Sequence, residues 1–296
     1  MLAKVETDLP REAIRFLEHL AVERGVSKNT LLSYRRDLRD FFSSHARLDQ
    51  ADVSAYLLEM RENGLAESSI ARKISALRSL ESFLCRADSE RVPWRIELRK
   101  SGRRLPKSIP YESIRALIES PSDDPLGIRD RAILEALYAT GMRVSECIEL
   151  DRDQFRDETG ELSFLLISGK GGKERLVPLG GHARRSCQDY LVRSRPILAG
   201  DHRESALFLN SAGRRLTRQG VWQIIKQAAE RSGITERVTP HVLRHSFATH
   251  MLERGADVRS VQELLGHASV VTTQVYTLIT QDVLRESHAE SHPRAR

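Results

Sequence analysis

Apolar residues recur at helical spacing along most of the chain. Over 11–24, Ile14, Leu17 and Leu20 make one stripe among charged residues, and Gly25 ends it. Ser27 or Asn29 can cap a second helix carrying Leu31, Leu32, Tyr34, Leu38 and Phe41. A third pattern covers 51–62 and stops at Asn63-Gly64, and a fourth runs over 67–86 with Ile70, Ile74, Leu77, Leu80 and Phe83 on one face. Four short amphipathic helices with brief connections predict an all-α bundle over residues 1–98.

The pattern then breaks. LRKSGRRLPKSIP contains no acid, one glycine and two prolines, so residues 99–108 read as a basic linker. Helical periodicity returns over 111–119 and 126–140, the latter closed by Gly141. MRVSECIEL follows as another helix, with Arg143 expected in its first turn and Glu146 three residues on. One stretch, 161–180, reads as β: LSFLLIS and ERLVPL flank a GKGGK turn that puts Lys170 at a hairpin tip. Helices over 181–195 and 217–232 come next, joined by a loop holding Arg214 and Arg215. Thr239 and Pro240 open a helix carrying His241 and Arg244 on one face, with Leu243, Phe247 and Met251 on the other. Gly255 ends it, Asp257 caps the next, and Gly266 stops that one just before His267. A short helix from Ser269 carries Tyr276. The architecture expected is mainly α: a helical domain over 1–98, and an α-rich domain with a small β-sheet over 109–296.

Length agrees, since 296 residues exceed a typical single domain. Charge adds a direction. Lys+Arg exceeds Asp+Glu by six, with a sequence pI of about 9.4, which favours a polyanionic partner. Most basic residues are arginine, suited to bidentate phosphate contacts, although arginine-rich codon usage explains the bias as well. Lys28, Arg35, Arg72 and Lys73 on the bundle, Arg99, Lys100, Arg103, Arg104 and Lys107 in the linker, and Arg214 and Arg215 in the later loop are the candidate backbone contacts. On the bundle these alternate with acids, so a solvated helix face accounts for them equally. Cys85, Cys147 and Cys187 are far apart and form no CxxC, which argues against a disulfide framework or a cysteine zinc site. The N-terminus is charged where a signal peptide needs an apolar core, and no apolar run reaches membrane-spanning length, so a cytoplasmic protein is expected.

The candidate chemistry is the set Arg143, Lys170, His241, Arg244, His267 and Tyr276. It amounts to a metal-free kit for attacking a phosphodiester. Each member alone has a plainer reading: an Arg143–Glu146 surface pair, a glycine turn with solvated lysines, a packing tyrosine. Lys170 does not belong to a Walker loop, because GKGGK lacks the spacing and the following Ser/Thr. His241, His245 and His250 lack an HExxH arrangement or a nearby carboxylate pair, so no metal is expected.

At these residues the chain resembles the tyrosine site-specific recombinases, and within them the Xer chromosome-dimer resolvases, the XerD type more than the XerC type. The resemblance runs from SKNTLLSYRRDLRDF through YATGMRVSE, GKGGKERLVPL and HVLRHSFATHMLERGADVRSVQELLGHASV to HPRAR. It implies a SAM-like four-helix core-binding domain and a catalytic domain. By position, Arg143 and Arg244 would clamp the scissile phosphate, and Lys170 would protonate the leaving 5′ oxygen. His241 would assist proton transfer, His267 would hydrogen-bond the phosphate, and Tyr276 would be the nucleophile forming a 3′-phosphotyrosyl bond. No cofactor is implied. The partners implied are double-stranded DNA, a second Xer-type recombinase in a heterotetramer, two of each on two DNA sites, and an FtsK-type DNA translocase as activator. The C-terminal segment would dock on a neighbouring subunit, and a frayed tail in the free monomer is the alternative. Leu278 departs from the commonest Xer pattern, where histidine often follows Tyr-Thr. An integrase of a mobile element, a type IB topoisomerase and a catalytically silent DNA-binding protein are the other functions considered.

Overall fold

A computed structural model of the chain describes residues 9–24, 26, 28–98, 108–158, 162–168, 174–266 and 286–295. The chain divides into two compact units, 1–103 and 104–296.

The first unit holds α1 (Arg11–Val22), α2 (Lys28–Phe42), α3 (Gln50–Glu62) and α4 (Glu67–Ala87). Asp49 starts α3 by accepting a hydrogen bond from the Asp52 amide at 2.9 Å. The expected stripes meet in one core, in which Phe16, Leu38, Phe41, Ile70, Ile74, Leu77 and Leu80 are buried. Leu32 stays more than half exposed and Phe83 packs only partly, so the inward face is narrower than the apolar pattern suggested. Residues 91–98 form no helix or strand, and Trp94 closes the core while Arg91 grips the buried Glu81 carboxylate at 2.8 Å.

The second unit is organised around α6 (Pro125–Thr140), which is buried from Gly127 to Thr140 apart from Arg131. Asp124 caps it by accepting from the amides of Leu126 and Gly127, each at 2.9 Å. A helix enclosed on every side must pair its charges internally. Arg129 donates to Asp130 at 2.6 Å, and Glu135 receives Arg294 at 2.6 Å. Gly141 ends α6 with φ +59°, and a Cβ there would lie 2.5 Å from Phe247, so both backbone and packing require glycine. Around α6 lie α5 (Tyr111–Glu119), α7 (Val144–Glu149), α8 (Gly181–Asp189), α9 (Arg195–Ala199), α10 (Arg218–Arg231), α11 (Pro240–Glu253) and α12 (Val258–Leu264).

Two local features differ from expectation. The hairpin is part of a three-stranded antiparallel sheet, β1 (Phe155–Glu158), β2 (Leu162–Ser168) and β3 (Glu174–Leu179), in the order β1-β2-β3. The FRDE of β1 has no apolar alternation because it is an edge strand, paired among the described residues with β2 alone. The helix expected to end at Arg195 instead passes through a π turn at Tyr190–Ser194 into α9 and stops at Gly200. Pro196 lacks an N–H, and the wider turn accommodates it without ending the helix.

The described part of the C-terminal tail, a helix over 286–291 and the turn after it, is not frayed but folds onto its own chain. His288 Nε2–H donates to the Ala139 carbonyl at 2.9 Å, its ring stacks on His292 at 4.7 Å, and the Gly181 amide donates to the Ala295 carbonyl at 2.7 Å. Burial pushes His288 down to about 4, its hydrogen bond opposing the shift. His292 is also lowered, by burial and by His288.

Both imidazoles are therefore neutral in the folded chain, and their contribution is fully present above the unfolded value of about 6.5 and lost as pH falls toward 4. From His288 alone the expected loss at pH 5 is about 2 kcal/mol. Hydrogen exchange across 286–295, corrected for intrinsic pH dependence, should accelerate about 30-fold between pH 7 and pH 5. A flat profile would contradict the assignment of neutral, buried histidines.

Candidate active site

The site begins at the end of α6. Gly141 turns the chain so that Arg143 falls at the N-cap of α7, one position before the first turn predicted for it. An N-cap side chain normally accepts from an amide of the first turn, which arginine cannot do, so the turn is closed from its N3 residue instead. That residue is Glu146: its Oε2 accepts the Arg143 amide at 2.7 Å and its Oε1 accepts Arg143 Nη1 at 2.9 Å. The expected brace is therefore present, and it is not a surface pair. The Glu146 side chain is 6% exposed, whereas that of Arg143 is 46% exposed and opens outward.

A second guanidinium holds the other side of this carboxylate. Arg175, on β3, donates through Nη1 and Nη2 to the two Glu146 oxygens at 3.1 and 2.8 Å, and through Nε to the Leu264 carbonyl at 3.2 Å. Sequence reading missed it, although a signal existed. Arg175 pairs with Ile167 and shares a strand face with Val177 and Leu179, so an arginine occupies a core-facing position.

Arg244, on α11, donates to the Gly141 carbonyl at 2.6 Å and to the Leu265 carbonyl at 2.7 Å. It thus ties the end of α6 to the end of α12. Burial pulls its pKa down to about 10, and the nearby charges of Arg143 and Arg175 add to that, with Glu146 opposing. It stays protonated at neutral pH and, among the described residues, pairs with no carboxylate of its own. His241 lies one turn earlier on the same helix and is exposed, behind the Thr239 cap that accepts the Val242 amide at 3.2 Å.

Two guanidiniums therefore share one carboxylate, and Arg244 adds a third positive charge nearby. Burial pushes the Glu146 carboxyl up, but the hydrogen bonds from Arg175 and Arg143 outweigh that and leave it lowered and ionised. The surplus positive charge suits an anion of at least one negative charge, and Arg143 offers the exposed edge on which it would sit.

Lys170, His267 and Tyr276 lie outside the described residues. Lys170 falls between the paired ends of β2 and β3, Ser168 and Glu174, and His267 directly follows Gly266. Among the candidate DNA contacts, Arg99, Lys100, Arg103, Arg104 and Lys107 also lie outside them, and Lys28 opens α2. Arg35 is half-buried, Arg72 is paired with Asp37, and Lys73 is paired with Asp40. Arg214 is exposed at its loop. Arg215 is turned inward to the Ile148 carbonyl at 2.9 Å and to Asp151, so its guanidinium builds the loop instead of facing outward. Among the described residues no group of His, Cys, Asp or Glu is arranged to hold a metal, and no helix is long and apolar enough to cross a membrane.

Glu146→Gln should destabilise the second unit by about 3 kcal/mol at neutral pH, because two guanidiniums lose their shared charge. Since the Glu146 pKa is lowered on folding, its contribution is present above the unfolded value of about 4.5 and is lost as pH falls through the folded one. Calorimetric transitions of wild type and variant should therefore differ at pH 7 and converge only as pH falls through the lowered folded value. Equal transitions at pH 7 would show that the carboxylate is not holding the site.

Comparison with known proteins shows the family. Residues 107–282 match the phage integrase family, and residues 13–88 match the phage integrase N-terminal SAM-like domain. The chain is 48% identical to the tyrosine recombinase XerD of Mycobacterium tuberculosis, over 95% of this chain and 97% of that one. It is 43% identical to the tyrosine recombinase XerD of Halalkalibacterium halodurans over the same shares. In fold it is similar to the XerH site-specific recombinase bound to a palindromic difH substrate, with a TM-score of 0.67 and 24% identity over 94% of this chain and 84% of that one. The chain belongs to the phage integrase family and is a site-specific tyrosine recombinase of the XerD-like kind.

Proposed function

We propose that this recombinase resolves chromosome dimers at a dif-like site during cell division. In this reading it works beside a second Xer-type recombinase, two of each on two DNA duplexes, with an FtsK-type translocase as activator. The observation that carries the chemistry is the charge surplus around Glu146: Arg143 and Arg175 share its carboxylate, and Arg244, held by two carbonyls, adds a third positive charge. A phosphodiester repels nucleophiles, and its phosphorane-like transition state gains further negative charge. Arginines held in a partly dry site neutralise that charge as it builds, with little reorganisation.

Arg143 and Arg244 take the nonbridging oxygens of the scissile phosphate, and Tyr276 attacks phosphorus. Tyrosine, with a pKa of about 10, is mostly protonated at neutral pH, so the positive surroundings and a base help it. His241 assists that proton transfer, and His267 hydrogen-bonds the phosphate. Lys170 donates a proton to the departing 5′ oxygen, an otherwise poor leaving group. The 3′-phosphotyrosyl bond conserves the energy of the broken one, so rejoining consumes no nucleotide. The helical unit grips the duplex with Lys28, Arg35, Arg72 and Lys73, the last two also held by their own carboxylates. Arg99, Lys100, Arg103, Arg104 and Lys107 cross the backbone, and Arg214 adds a contact. The C-terminal tail, seated on its own α6 in the single chain, docks on a neighbour when four subunits assemble.

Arg143→Ala and Arg244→Ala should each slow single-turnover cleavage by about 10²–10³ while DNA affinity changes little. Wild-type cleavage in either variant removes the clamp assignment. The biological role is read by trapping covalent DNA adducts in the host with denaturant and sequencing them. One site near the replication terminus supports dimer resolution. Adducts at the ends of mobile elements mean an integrase, and scattered adducts mean a topoisomerase.

A further inference from the structure

Arg175 lies five residues beyond Lys170 on the returning strand of the same hairpin. Its side chain is 10% exposed, and its contacts account for the whole fork. Nη1 and Nη2 take both oxygens of Glu146, and Nε takes the Leu264 carbonyl. The plane of the guanidinium lies against Gly266, where a Cβ would come 3.1 Å from Nη1. Gly266 also has φ +66°, so glycine there serves both the turn and the close approach of the arginine. With all three nitrogens engaged inside the protein and little surface left, Arg175 is not placed to touch DNA.

What it touches, however, belongs to three separate pieces of the site. Glu146 sets the rotamer and direction of Arg143. Leu264 and Gly266 bracket Leu265, whose carbonyl Arg244 holds, and Gly266 immediately precedes His267. Arg175 itself sits on the strand that returns from Lys170. We propose that Arg175 is the positioning residue of the phosphate clamp, orienting Arg143 through Glu146 and fixing the 264–266 turn that Arg244 grips. This rests on the clamp reading of Arg143 and Arg244. Lysine cannot replace it, because a single ammonium cannot span a bidentate carboxylate and a carbonyl on a third element.

A merely structural arginine and a positioning one differ in how their loss depends on the charge of the scissile group. Replacing one nonbridging oxygen by methyl removes the negative charge that a well-aimed arginine has to neutralise. The test is single-turnover adduct formation on a duplex carrying the host site, with either a phosphate or a methylphosphonate at the scissile position. Arg175→Gln should slow cleavage of the phosphate about 30-fold and of the methylphosphonate less than about 3-fold, relative to wild type on each, with DNA affinity within about 2-fold. Arg175→Lys, which keeps the charge and the aliphatic stem, should show the same asymmetry and serves if the glutamine variant is unstable. An equal loss on both substrates, or no loss on the phosphate, overturns the proposal. Arg143→Ala in the same assay separates the two claims. If it cleaves the phosphate like wild type, the clamp reading falls; if it fails while Arg175→Gln and Arg175→Lys cleave normally, only the positioning role falls.

Discussion

One carboxylate shared between two guanidiniums, Glu146 between Arg143 and Arg175, is the interaction on which the site depends. Moving a lone arginine into a partly dry cleft is costly, and three near one another would repel and swing apart into water. A single buried acid holds two of them without cancelling the charge of all three. Arg244 is satisfied by two carbonyls, which neutralise nothing. The cluster therefore keeps an unmet demand for negative charge while every guanidinium stays fixed, the condition under which electrostatic stabilisation of a developing dianion is large.

The rest of the second unit serves that arrangement. α6 is enclosed on all sides, so its C-terminal end is a rigid reference, and Gly141 directs the chain from it into Arg143. Arg244 then hydrogen-bonds back to the Gly141 carbonyl, so the two candidate clamp arginines are referred to the same turn. Further along the same helix, Ala139 and Glu135 receive His288 and Arg294 from the tail. One helix thus underlies both the site and the seat of the C-terminal segment. A change in where that segment sits would be felt within two residues of Gly141.

Much of this was legible in the residues, and the parts that were not share a cause. Caps and stops such as Asn63, Gly141, Thr239 and Asp257 act locally, and they bounded their helices where expected. The 3.6-residue stripes located both cores. What escaped depended on partners distant in the chain. The pairing of Arg129, Asp130 and Glu135 within a buried α6 leaves no periodic trace in the sequence. Arg215 looked like a loop-tip contact, yet the Ile148 carbonyl and Asp151 draw it inward. The burial of the tail histidines, whose neutral imidazoles pack like aromatic rings, also left no mark in the sequence pattern. In the site itself, the Arg143–Glu146 brace was visible at i,i+3, whereas Arg175, 29 residues from Glu146, was not.

The central claim is that this cationic cluster serves attack by Tyr276 on a phosphodiester. The most direct measurement is to trap the purified protein on a nicked duplex carrying its host site, digest the complex, and identify the modified residue and the DNA end by mass spectrometry. The account predicts Tyr276 joined to a 3′ phosphate, with a free 5′ hydroxyl on the released strand. A 5′ linkage, or attachment at any other residue, would contradict it.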